Sequence, residues 1–223
     1  MLLYKKREIM RKITTITALF ILTFIVQTAG AQSFHGGIAL GGLVSQVEGD
    51  MRGGWNKAGL TAGVFTGLSI NENIDFQIEL KYTQKGSKSD IDKPVIGDPY
   101  AIRLGYFELP VLLCGNLGFL NINGTKLDWI ALEIGASLDV LAHQKKTVNG
   151  VTDNGPNLFR RLSGSTLLGI KFTIMERYQL AIRSVNSFIS IYKGNLSDER
   201  TRRFGSKGVF SDNLELVFFY KIR

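Results

Sequence analysis

The chain has 223 residues, of which 44% are apolar and 21% charged, with 27 Lys and Arg against 19 Asp and Glu. The formal charge of +8 falls to +4 once residues 1–31, with five basic residues and one acidic, are set aside, and that excess does not argue for nucleic acid. The one cysteine, Cys114, excludes an internal disulfide framework. It is also too far from the N-terminus to carry a lipid anchor.

Residues 1–31 read as a secretory signal peptide. Lys5, Lys6, Arg7, Arg11 and Lys12 form a basic head, and Ile13 to Val26 form an apolar run broken only by threonines. Ala29, Gly30 and Ala31 then supply the small residues a signal peptidase needs before Gln32. Met1 and Met10 both remain possible starts. A retained membrane anchor is the alternative, but the run is short for a spanning helix.

From residue 32 onward the pattern has period two, as expected when side chains alternate across a strand. The first strand is expected from Phe34 to Val44, with Gly37, Ala39 and Gly41 on one face. The second runs from Lys57 to Ile70, with Leu60, Ala62, Val64, Leu68 and Ile70 opposite Thr61, Gly63 and Phe65. The third is the clearest: Ile74, Phe76, Ile78, Leu80 and Tyr82 alternate with Asp75, Gln77, Glu79, Lys81 and Thr83.

The fourth, Tyr100 to Cys114, changes apolar phase near Gly105-Tyr106. This predicts a β-bulge there, with Arg103 inward before it, and Glu108 and Pro110 inward after it. The fifth, Leu127 to Leu141, sets Ile130, Leu132, Ile134, Leu138 and Val140 against Glu133, Ser137 and Asp139. The sixth runs from Arg161 to Ile174 and carries Lys171. The seventh runs from Tyr178 to about Tyr192, carries Arg183 and loses phase at Ser184–Ser187. The eighth, Val209 to Ile222, sets Leu214, Leu216 and Phe218 against Ser211, Asn213, Glu215 and Lys221.

Eight such segments behind an export signal predict an all-β fold: an eight-stranded, antiparallel, up-and-down transmembrane β-barrel over residues 32–223. Short links alternate with long ones, which places both termini in the periplasm. The link 115–126 is the exception, long on the periplasmic side, and reads as an extended turn or a partner site. The rival is a soluble lipocalin-like barrel with the faces inverted. Charge placement and the export signal favour lipid outside. The inward set then holds Asp75, Glu79, Glu108, Glu133, Asp139 and Glu215 with Lys81, Lys85, Arg103, Lys171, Arg183 and Lys221, a balance suited to a narrow lumen.

GGIALGGLVS (36–45), FQIELKYTQKG (76–86) and FELPVLL (107–113), followed by EIGASLDVL (133–141) and LELVFFYKI (214–222), make the chain resemble the PorT-like outer-membrane β-barrel family of Bacteroidetes. The resemblance covers nearly the whole mature chain. It implies an eight-stranded outer-membrane barrel and no single activity; the namesake branch serves a secretion and gliding apparatus.

No catalytic, phosphate-binding or metal motif is present. His35 and His143 fall at opposite ends of the barrel, and no cofactor is expected. An outer-membrane hydrolase or acyltransferase would use His143 with a loop Ser or Asp, such as Asp153. The inward charges are read as a salt-bridged plug, because eight-stranded barrels have lumens just wide enough for side chains to fill. The expected role is structural or adaptor-like and non-enzymatic. A narrow porin-like channel for small solutes is the alternative, and an outer-membrane enzyme comes third. Expected partners are outer-membrane lipid or lipopolysaccharide, met by loop cations such as Lys145, Arg160 and Arg203, and a periplasmic or secretion-machinery protein.

Overall fold

The computed structural model describes residues 33–48, 54–89, 100–122, 124–153, 158–193, 202–203 and 206–222. The expected signal segment 1–31 and its cleavage residues Ala29, Ala31 and Gln32 lie outside the described residues. The strands are β1 (Phe34–Glu48), β2 (Lys57–Asn71), β3 (Ile74–Lys88), β4 (Tyr100–Ile122), β5 (Thr125–Val148), β6 (Val151–Asp153), β7 (Leu162–Met175), β8 (Tyr178–Ser187), β9 (Arg202–Arg203), β10 (Ser206–Lys207) and β11 (Phe210–Lys221). Eight of them, all but β6, β9 and β10, pair antiparallel in sequence order. The ring closes where β1 meets β11, from Gly37↔Lys221 to Glu48↔Phe210. Closure leaves no edge for another chain to extend within the ring itself. The chain enters and leaves the barrel at one end, the terminal end, where the tight turns 72–73 and 176–177 also lie; the other is the loop end.

The wall is apolar outside and polar inside. Leu40, Leu60, Leu80, Ile134, Leu168, Ile182 and Leu216 are exposed, whereas Glu79, Lys81, Glu133, Lys171, Arg183 and Glu215 are buried. A soluble barrel would be the inverse, so the lipocalin-like alternative is set aside.

Strand β4 departs from the expected phase. Ile102, Leu104, Tyr106, Glu108, Leu112 and Cys114 are all buried, so the strand alternates without a slip. Arg103 therefore faces outward and is exposed, not in the lumen as expected. The apolar residues change face because the loop end of the lumen is itself apolar. There Ile102, Leu104 and Tyr106 pack with Val47, Phe159, Ile191 and Val209. The irregularity at Gly105-Tyr106 is real but belongs to β5: Gly105 pairs with His143 and Tyr106 with Leu141, leaving Ala142 as the extra residue. Opposite Pro110 the β3–β4 ladder steps from Ile78↔Val111 to Lys81↔Glu108, as a residue without an N–H requires.

Three further boundaries differ. The segment 115–126 is no long link: β4 continues to Ile122, which pairs with Thr125 across the turn at Gly124 (φ +84°). Likewise 142–153 is strand, with Val148↔Val151 closing a hairpin over Asn149 and Gly150, both at positive φ. Strand β8 keeps its alternation through Ser187, and Tyr192 makes only an isolated bridge to Phe159.

Candidate functional site in the barrel lumen

Inward positions of six strands converge on a buried ionic network in two halves. In the half nearer the terminal end, Arg183 Nε donates to Glu133 Oε2 at 2.6 Å, and its two Nη atoms donate to Glu79 at 3.0 and 2.8 Å. Lys171 Nζ lies 2.7 Å from Glu133 Oε1 and donates to Gln77 Oε1 at 2.7 Å. Gln77 Nε2 in turn donates to Glu79 at 2.6 Å. The Phe219 ring lies under both cations, 5.0 Å from Lys171 Nζ and 4.9 Å from the Arg183 guanidinium carbon. Cys114 Sγ sits 3.7 Å from Lys171 Nζ and from Glu133.

Gly169 makes this half possible. It is the cross-strand neighbour of Glu133 on one side and of Arg183 on the other. A Cβ there would stand 2.8 Å from Arg183 Cγ and 3.0 Å from Glu133 Oε2. The missing side chain is the gap through which the guanidinium reaches the carboxylate.

In the half nearer the loop end, Lys81 Nζ bridges Glu215 at 2.6 Å and Glu108 at 3.3 Å. Lys85 pairs with Glu108 and reaches Asp139 at 3.4 Å. Thr83 donates to Glu108 at 2.9 Å, while Ser137 and Ser165 donate to Asp139 at 2.5 and 2.6 Å. The inward charges Glu79, Lys81, Glu108, Glu133, Asp139, Lys171, Arg183 and Glu215 thus meet in one lumen. Gln77, Thr83, Ser137 and Ser165 complete it; sequence reasoning passed over them as neutral, though their inward phase marked them.

Asp75 stays outside the network. It is half-buried and lines a cavity of about 40 Å³ at the terminal end, together with His35, Cys114, Lys171, Thr173 and Gln179. The cavity has room for a water molecule or two, and the ionic network lies beyond it.

Outside the barrel, Arg103 and Lys145 are cross-strand partners and both exposed. His143, on the wall rather than in a loop, stacks on Tyr82 with ring centroids 6.1 Å apart, and Tyr82 meets Phe107 edge-on. Trp129 packs outward against Phe172, and Tyr178 against Phe218 and Tyr220. Tyr100 and Tyr192 pack against the apolar cluster at the loop end of the lumen. Arg203 is not free for a ligand: it holds Asp212 at 2.5 and 2.6 Å and also Glu48. The Asp153 side chain lies outside the described residues. Among the described residues no group of three His, Cys, Asp or Glu is placed to hold a metal ion.

Among solved structures, Neisserial surface protein A (NspA) matches with 12% identity and a TM-score of 0.49, over 86% of this chain and 99% of that one. Ail, the attachment invasion locus protein of Yersinia pestis, solved in complex with the heparin analogue sucrose octasulfate, matches with 13% identity and a TM-score of 0.45, over 85% of this chain and 99% of that one. No curated protein matches the chain. Residues 30–193 match the family described as outer membrane protein beta-barrel domain, and the chain belongs to that family of outer-membrane barrels.

Proposed function

We propose that this protein is a closed, non-enzymatic barrel with a structural or adaptor role, exported by a signal peptide cleaved after Ala31 and related to the PorT-like branch of Bacteroidetes. Arg183 carries the reading. It is fully buried and tied at once to Glu79, across the lumen, and to Glu133, two strands along the wall. An ion crossing the barrel would have to break those pairs, which side chains of a pore lining do not form so completely.

With the terminal end in the periplasm, two surfaces face partners. The β4–β5 hairpin continues past its neighbours: β3 pairs no further than Gly115, and β7 no further than Ile130. Its tip carries exposed Phe119, Leu120 and Ile122 with free backbone edges, the form that accepts a strand from a periplasmic protein. At the other end, Arg103 beside Lys145 is a like-charge pair that costs stability on its own. A lipopolysaccharide phosphate above the apolar band offsets that cost.

Planar-bilayer recording tests the closed lumen. The expected result is a flat baseline, and discrete, salt-dependent openings would favour the narrow channel instead. Photocrosslinkers placed at Phe119 and Ile122 in intact cells test the adaptor role. A discrete protein adduct is expected there and not from Leu80 on the lipid face.

A further inference from the structure

The two halves of the buried network differ in charge. Nearer the terminal end, Glu79 and Glu133 face Lys171 and Arg183, two against two. Nearer the loop end, Glu108, Asp139 and Glu215 face only Lys81 and Lys85, three against two. Arg183 is the cross-strand neighbour of Glu215 but directs its hydrogen bonds to Glu79 and Glu133, and over both halves five carboxylates face four cations. All five side chains are at most 2% exposed, so water does not screen the surplus negative charge.

Unpartnered polar atoms gather at the same half. Glu215 Oε1, both amide atoms of Asn213, Tyr106 OH, Ser163 Oγ and Ser211 Oγ are buried without a hydrogen-bond partner within the protein. Asn213 and Ser211 occupy the next two inward positions from Glu215 towards the loop end of β11. Tyr106 stands one inward position beyond Glu108, and Ser163 is the cross-strand neighbour of Asp139. No side chain of the balanced half has such an atom. Surplus charge and unmet oxygens therefore coincide.

We propose that the loop-side half of the lumen binds one hydrated monovalent cation, with Glu215 as its charged ligand and the oxygens of Asn213, Tyr106 and Ser211 as neutral contacts, direct or through water. Hard alkali ions take such oxygen ligands. A proton on Glu215 would also cancel the charge, but it would satisfy one oxygen and leave the others unmet. An ion with its water shell meets several at once.

The full mature protein, refolded from urea into detergent in choline chloride alone, is titrated with NaCl, KCl or RbCl at constant ionic strength. A saturable rise of a few degrees in the unfolding midpoint with an alkali ion is expected. Glu215→Gln should abolish that rise, each midpoint being compared with the variant's own midpoint in choline chloride. Crystals of the wild type soaked in RbCl give a second reading that needs no variant, an anomalous peak beside Glu215. Equal midpoints in alkali and choline chloride, or the absence of that peak, overturn the proposal. A choline-only midpoint that rises with acidification while alkali ions have no effect overturns it in favour of a bound proton.

Discussion

Arg183 shows what a single residue contributes here. Four of its hydrogen bonds reach carboxylates on two other strands, so removing either carboxylate strands a charge in a fully buried site. Breaking such a pair costs about 3–5 kcal/mol, whereas an exposed substitution stays within about 0.5 kcal/mol. Glu133→Lys should therefore lower stability in urea unfolding by the larger amount, and Val151→Lys, at a residue 72% exposed, by the smaller. Equal midpoints for the two would mean the network does not hold the barrel together. Gly169→Val tests the gap beneath the guanidinium: its side chain would displace Arg183 from Glu133, and the loss should approach that of Glu133→Lys. Most inward charges were legible because alternation assigns a face to every residue of a regular strand. Arg103 was misread for a physical reason. Alternation reports a change in which face is apolar, and a strand passing from an apolar plug to an ionic layer produces the same signal as a slipped register.

At the scale of elements, the sequence carried turn signals that outrank composition. Asn149-Gly150 and Asn123-Gly124 are the dipeptides preferred where two-residue hairpins need positive φ. Both stand where segments read as links prove to be strand. The hairpin tip contributes nothing to ring closure, because β3 and β7 end before it. Replacing 117–127 by Asn-Gly should leave the urea midpoint within about 0.5 kcal/mol of the wild type, while abolishing crosslinks to a periplasmic partner. Ala142 is a second such case. It is the extra residue of β5, standing between Leu141 and His143, with Gln144 inward to accept from the Phe159 amide at 3.2 Å while His143 and Lys145 face out. Deleting Ala142 leaves every later residue of β5 opposite its present partner and on its present face, because Leu141↔Tyr106 and His143↔Gly105 then join as a regular ladder. The deletion should therefore leave the urea midpoint within about 0.5 kcal/mol of the wild type, and a loss of several kcal/mol would mean that the bulge itself is needed. No composition rule points to Ala142; only the partner strand, unseen in sequence, reveals which of two chains carries the bulge.

For the molecule as a whole, the decisive dimension is the height of its apolar band. On β5 the outward positions are apolar without interruption from Ile130 to Val140, with exposed Asp128 below and Lys145 above. At ~3.3 Å per residue that run is about 33 Å along the strand. A tilt of about 40° reduces it to about 25 Å, the height of hydrocarbon that outer-membrane barrels span. Lipid must therefore cover this band, since the interior is already filled by charge and cannot exchange places with it. Two consequences are measurable. Unheated protein in detergent should run faster on gels than boiled protein, because the closed ring resists unfolding until heated. Folding yield into vesicles should be greatest when the lipid hydrocarbon is about 25 Å thick, and should fall as longer acyl chains impose a mismatch on every strand at once. A yield indifferent to chain length, with identical migration before and after boiling, would mean that the band meets something other than acyl chains. The polar lumen would then have no apolar solvent to be the inside of.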